Sequence, residues 1–448
     1  MKIIVAHKYY YEKAGAERYV FDSIKLLENS GHEVIPFAMH HPKNKQTPWS
    51  KYFVSYSDFL HSSFFEKFRI PFRMIYSWEA KKKFRALVKE TKPDIVHIHN
   101  IYHHISPSIL DVCREYGIPV VQTIHDYKMI CPNYMLFSNG NIDESCKGGA
   151  YWHDVLNRSV KHSYVKSALA ALEMHIHHAL LKIYEKNVQI FIMPSHFVLE
   201  KFFEFGVPKE KMIYLPYPMD VNFDSRTIRR SANGNEIHIR DSSPRHPPTG
   251  GGGSARNDSE RPTILAFGRL SEEKGFDVLI RAMRDVDAHV DIIGDGPLRK
   301  KLEALVRSEG VSEKVTLHGF LPRQRIFEYM KHSACVVVPS LWYEVLPYAI
   351  LESYAHGTAV IASNIGGMKE LVGHVNPEYL FAPGESADCA RSIAAALMHP
   401  DAAADAGEKG RLYVRKECDP NIHIQKLLDI YARRMRKPLP LDKDRERA

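Results

Sequence analysis

One pattern constrains the fold more than any other, and the chain runs through it twice: a short apolar strand, a glycine-bearing loop, a helix and a second strand. Residues 2–6 (KIIVA) read as a buried strand, 7–15 as a loop, 16–29 as a helix stopped by Ser30-Gly31, and 33–37 as the next strand. Far along the chain, 263–267 is again a strand, GRLSEEKGFDVLIRAM is a glycine turn into a helix, and 289–293 is a strand. Such alternation builds parallel sheets covered by helices on both faces, so the expected class is α/β with two doubly wound domains. Further strands are expected at 94–99, 118–124, 188–193 and 211–215, then at 316–318, 334–338 and 358–362. Between the halves, residues 224–260 are dominated by Gly, Ser, Pro, Asn and charge, with a GGGGS run, and are too poor in apolar groups to order themselves. The expected domains are therefore 1–223, with a loop-rich insertion at 131–162, then a linker at 224–260, a second domain at 261–420, and a terminal helix with a charged tail at 421–448.

A chain of 448 residues can hold two or three domains with ordinary cores. Its formal net charge of +8 suits an anionic partner, whether nucleotide, lipid phosphate or membrane surface. Nucleic acid is not expected, since no dense basic stripe or known module is present. The six cysteines contain no CxxC pair, which argues against zinc ribbons and thioredoxin-like chemistry. MKIIVAH enters a strand directly, without signal-peptide architecture, and no run of eighteen apolar residues occurs, so the expected location is the cytoplasm.

The chemistry-bearing residues lie in the loops that leave strands. In SLWYEVLPYAILESYAHGTAVIASNIGG, 340–367, Glu344 and Glu352 stand in apolar surroundings. Pro347 between them is a natural first helical residue, which leaves the N–H groups of Tyr348 and Ala349 for an anion. Upstream, Arg269 and Lys274 flank an exposed turn, and Gly275-Phe276 opens a helix. In YYYEKAGAERYV, Gly15 lets backbone approach a phosphate at a helix start. At the end of the strand at 118–124, TIHDYKMICPN places His125 and Asp126 where open α/β sheets bind ligands.

Taken together these segments resemble the retaining glycosyltransferases of family 4, with the GT-B fold: two Rossmann-like domains facing across a cleft and a last helix crossing back to the first. The resemblance implies transfer of a sugar, with its anomeric configuration retained, from a UDP- or GDP-linked donor to a hydroxyl of a glycan or lipid-linked acceptor, in surface-polysaccharide synthesis. No metal and no cofactor are implied; Arg269 and Lys274 would hold the diphosphate, and the leaving phosphate would take the acceptor proton on the same face. Glu344 would meet sugar hydroxyls and Glu352 the ribose. His125 would face the donor sugar, with Asp126 as its orienter or an acceptor contact. Gly15, Gly294, Phe320, Leu346, Pro347 and Tyr348 would complete the donor site, Gly319-Phe320-Leu321 approaching the base. Two other readings are a sugar-nucleotide epimerase or phosphorylase of the same fold, and a non-catalytic sugar-nucleotide-binding protein.

Other features read as structural. His97 and His99 of HIHN share one strand face but lack ligand-spaced neighbours, and Asp285-Val286-Asp287 reads as surface charge. In 131–162, Cys146 stands in NIDESCKGG while Asp143, Asp154 and Ser159 occupy places where cysteines are common in similar proteins, so no metal cluster is expected there. Residues 163–184 read as one long helix, able to lie in a membrane interface or cap the acceptor side. Between 49 and 88, Phe64, Phe65, Phe68, Phe72 and Trp78 alternate with Lys67, Arg69, Arg73 and Lys81–Lys83. That stretch reads either as an anionic-membrane or acceptor surface, at the inner face of the cell membrane, or as a core-packed helix with a solvated face.

Overall fold

The computed structural model describes residues 1–56, 71–221 and 261–435. Two sheets of six parallel strands organise them. The first contains β1 (Lys2–Ala6), β2 (Glu33–Phe37), β3 (Ile95–Ile98), β4 (Val120–Thr123), β7 (Ile190–Met193) and β8 (Met212–Tyr214), in the order β2-β1-β3-β4-β7-β8. A two-stranded hairpin, β5 (Phe137–Ser138) with β6 (Asn141–Ile142), lies within the insertion. The second sheet runs β11 (Val315–Gly319), β10 (His289–Ile293), β9 (Thr263–Phe267), β12 (Cys335–Val338), β13 (Ala359–Ser363), β14 (Leu380–Phe381). Both orders reverse beside the first strand of their lobe, and loops at such a reversal open a crevice at the strands' C-terminal ends. The loops after β9 and β12 are those that carry Arg269, Lys274 and Glu344.

The strands are buried on both faces, so their sequences are almost continuously apolar; Ile95, Val120, Val121, Ile190 and Ile192 are all fully enclosed. The helix Pro420–Met435 leaves the second lobe and lies on the first, where Ile424, Leu427, Ile430 and Tyr431 share a core with Ile3, Val5, Val20 and Ile24. Tyr431 Oη is 2.6 Å from His97 Nδ1, and His97 Nε2 is 2.8 Å from Thr123 Oγ1. His97 is thus a satisfied core residue, and burial holds its pKa down at about 3.

One expectation changes. Residues 163–184 are not one helix: Tyr164–Met174 is α-helical, His175–Leu180 is a π-helix, and Lys182 at φ 50° breaks the chain before Ile183–Asn187. A reason is local: Glu173, 1 % exposed, forms ion pairs with Lys128 Nζ (2.9 Å) and His103 Nε2 (3.1 Å), which anchors that turn to the neighbouring loops. In the 49–88 stretch Arg73 and Lys83 pair with Glu79 and Lys81 with Asp111, while Phe72 and Trp78 remain exposed. Its Phe64, Phe65, Phe68, Lys67 and Arg69 lie outside the described residues, as do the expected linker and the tail. Among the described residues no helix is long and apolar enough to cross a membrane.

Leu427→Ala should cost about 2–5 kcal/mol in denaturant unfolding, because it empties a sealed position between lobe and crossing helix. A second outcome concerns acid. Burial pushes the Glu173 carboxyl up, but His103 and Lys128 outweigh it and its pKa falls below the ordinary carboxylate value. A depressed carboxyl stabilises the fold fully above that value and loses its contribution as pH falls below it. The stability gap between wild type and Glu173→Gln should therefore be about 3–5 kcal/mol at neutral pH and shrink on acidification, read by urea titration across the acid range.

Candidate functional site

The turn after β9 is set by Gly275. It adopts φ +63°, and a Cβ there would lie 2.0 Å from the Pro339 carbonyl oxygen, so only glycine lets this turn press against the end of β12. That contact brings Lys274 to Glu344: Nζ and Oε1 are 2.5 Å apart, and Ser340 Oγ donates to the same oxygen at 2.8 Å. Glu344 is 6 % exposed, yet its loop is fixed further by Gly367 N–H donating to its carbonyl at 2.9 Å.

Glu352 sits two turns on, in the helix Tyr348–Ala355, also 6 % exposed. Its Oε1 takes Arg18 Nη1 from the first lobe at 2.5 Å and Arg323 Nε from the second at 2.6 Å. Arg18 also lies over the Tyr348 ring, 4.1 Å from its centroid. Gly15 faces the same ring: a Cβ on Gly15 would come within 3.1 Å of Tyr348 Cδ2. Glu17 holds this loop in place, accepting from the Ala14 N–H at 3.0 Å and pairing with buried His7 at 3.0 Å.

His125 reaches the site indirectly. Its Nδ1 is 2.8 Å from Tyr217 Oη, its Nε2 is 3.0 Å from His99 Nδ1, and Tyr217 stacks on Tyr348 with centroids 5.3 Å apart. Tyr217 Oη donates to the Ile124 carbonyl at 3.3 Å, so it accepts from a His125 that carries its proton on Nδ1. Burial, helped by nearby histidines, holds the imidazole pKa well below 6.5 and keeps it neutral. Asp126 is tied to Asn100 Nδ2 (2.9 Å) and the Lys128 N–H (3.0 Å).

Of the residues singled out from the sequence, Gly15 meets Tyr348 and Lys274 meets Glu344, both on the segment 344–352 that also carries Leu346, Pro347 and Glu352. Arg269 stands close enough to Lys13 that its charge, after burial and Lys8, helps hold the Lys13 ammonium below its ordinary pKa. This crowding of cations marks a place for an anion. Gly294 serves a different purpose: at φ +150° it packs so tightly on Gly268 that a Cβ would meet its carbonyl at 1.8 Å. Phe320 is 79 % exposed at the end of β11. Arg18, Arg323, Tyr217 and His99 were not legible as site residues. Arg18 alone had a signal, three positions after Gly15 in AGAER.

The insertion also differs from expectation. Cys131, Cys146 and Asp154, each 1 % exposed, are gathered so that their sulfur and carboxylate atoms lie within 4.8 Å of one another. Counting cysteines along 131–162 hid this, because the partner of Cys146 stands at the insertion's very first residue.

Comparison with known proteins agrees with this architecture. The family models "Glycosyltransferase Family 4" and "Glycosyl transferases group 1" match residues 14–223 and 253–413. An uncharacterised 42.6 kDa protein of the cps region of Klebsiella pneumoniae is 25 % identical over 83 % of this chain and 87 % of its own. A 2-deoxystreptamine glucosyltransferase of Streptomyces kanamyceticus is 35 % identical, but over only 31 % of this chain and 37 % of its own length. Among solved structures, Anabaena HepE in complex with UDP and glucose superposes with TM-score 0.64 at 15 % identity, covering 97 % of this chain and 100 % of HepE. Sucrose-phosphate synthase of Thermosynechococcus elongatus gives 0.65 at 17 % identity, over 96 % and 98 % of the two chains. With a family model on each lobe and the whole fold shared, the chain belongs to the group 1 glycosyltransferases of the family 4 type, built on the GT-B fold.

Proposed function

We propose that the cleft transfers a sugar, with retained configuration and without a catalytic metal, from a nucleoside diphosphate donor to a hydroxyl of a glycan or lipid-linked acceptor in surface-polysaccharide synthesis. The observation that carries this reading is the convergence on residues 344–352: the turn bearing Lys274 meets them from one side and the loop bearing Gly15 and Arg18 from the other. HepE structures hold UDP and UDP-glucose, and the Klebsiella relative's printed name places it in a cps region, which supports the donor class and the pathway class.

In this reading Arg269, Lys274 and the Tyr348–Ala349 N–H groups meet the diphosphate, whose charge grows as the glycosidic bond breaks. Lys274 already neutralises Glu344, so the lysine bridges phosphate and carboxylate while Glu344 orients the sugar hydroxyls. Glu352 offers its Oε2 to the ribose, since Oε1 is taken by two guanidinium groups. Phe320 flanks the base, beside the turn that Gly294 packs against Gly268. His125, neutral and with both ring nitrogens held by Tyr217 and His99, faces the sugar as a fixed ring rather than acting as a charged acid. The leaving phosphate takes the acceptor proton on the face where the new bond forms.

Arg269→Ala should lower kcat about 100- to 1,000-fold with a modest change in donor KM, because its charge matters most in the transition state. Glu352→Ala should chiefly weaken donor binding. Near-normal kinetics for both would remove these assignments. A nucleotide-sugar panel in thermal shift should pick out one donor, which at 100 times its Kd adds about 2.7 kcal/mol. Binding without donor hydrolysis or transfer would favour a non-catalytic binder, and sugar isomerisation without acceptor an epimerase.

A further inference from the structure

The trio in the insertion has no place in sugar transfer, yet its chemistry is specific. We infer that Cys131, Cys146 and Asp154 bind a zinc ion that fastens the insertion to the loop carrying His125 and Asp126. Three donors from three separate turns meet here: Cys131 ends the loop after β4, Cys146 precedes the turn Lys147–Gly149, and Asp154 lies in the helix Trp152–Leu156. The two sulfurs are 2.7 Å apart, and Cys131 Sγ is 4.0 Å from Asp154 Oδ1. Asp154 Oδ1 accepts from Ser159 Oγ at 2.5 Å, which orients the carboxylate. Its Oδ2 is buried and has no hydrogen-bond partner among the described residues.

That unpartnered oxygen separates an ion from the simpler alternative. A disulfide would join the sulfurs but leave Asp154 Oδ2 buried and unsatisfied, whereas a cation would occupy it. Two thiolates and one carboxylate suit zinc, and soft sulfur disfavours magnesium or calcium. Zn–S bonds of about 2.3 Å require the sulfurs to open by about 1 Å, with water as the fourth ligand. Binding releases both thiol protons to solvent. The ion would be structural: the Cys131 N–H donates to the Tyr127 carbonyl at 2.8 Å, so the held cysteine steadies the chain just after His125-Asp126.

The test uses the full chain, purified under reducing conditions and equilibrated with zinc, then freed of excess. About one zinc per chain is expected by elemental mass spectrometry, and replacement by cobalt should give a thiolate-to-cobalt charge-transfer band. Cys131→Ser and Cys146→Ser should lose the band, Asp154→Asn should weaken zinc retention at least tenfold, and Cys335→Ala in the other lobe should keep both. Wild-type protein that takes up neither metal overturns the inference whatever the variants do. So does a Cys131–Cys146 disulfide found by non-reducing peptide mapping of the purified protein. Zinc binding that persists in both serine variants would overturn the assignment of the ligands.

Discussion

Glu352 is held by guanidinium groups from both lobes, and the cleft takes its shape from that grip. A carboxylate this enclosed is costly to desolvate, and a buried ion pair often contributes little net stability compared with apolar packing. Its value is positional. Arg18 can reach Glu352 only if the helix beginning at Gly15 and the helix beginning at Tyr348 face each other, and Gly15 permits that approach because it has no side chain to strike the Tyr348 ring. The same interface is reinforced by hydrogen bonds: Ser195 Oγ donates to the Val345 carbonyl at 2.7 Å, and Glu370 accepts from the His196 and Phe197 N–H groups at 3.1 and 2.9 Å. Glu370 thereby caps a first-lobe helix from the second lobe, a charge placed where that helix's free N–H groups favour it.

Within each lobe the site is built by close backbone contact rather than by long side chains. Gly275 against Pro339, Gly294 against Gly268 and Gly367 against the Glu344 and Val345 carbonyls bring the ends of β9, β10 and β12 together. The cations Arg269 and Lys274 thus stand on short, braced turns. Preorganised charge of this kind stabilises a developing anion without reorganising at the moment of reaction.

The sheets were legible because parallel strands buried on both faces write themselves as apolar runs; Thr263–Phe267, His289–Ile293 and Glu33–Phe37 fall where periodicity and glycine punctuation put them. The residues of 344–352 were legible because two acids in an apolar segment need a reason. Arg323 and Tyr217 were not, because an arginine at a helix start and a tyrosine in a loop are common, and only the packing of lobes gives them partners. The region 163–184 misled for a related reason: its apolar residues suit a helix throughout, and neither the π turn at His175–Leu180 nor the break at Lys182 is written in that pattern. The Cys131–Cys146–Asp154 group escaped notice because proximity in space, not spacing along the chain, assembles it.

The helix Pro420–Met435 has a consequence for how the molecule comes into being. It covers Ile3, Val5 and Val20 of the first lobe with Leu427 and Tyr431, residues made after the whole second sheet. While a ribosome is still extending the chain, the earlier lobe keeps an oily wall open to solvent and to chaperones. Completion of that lobe is thereby delayed until its counterpart exists, so a prematurely terminated product would be a target for degradation rather than a free half-enzyme.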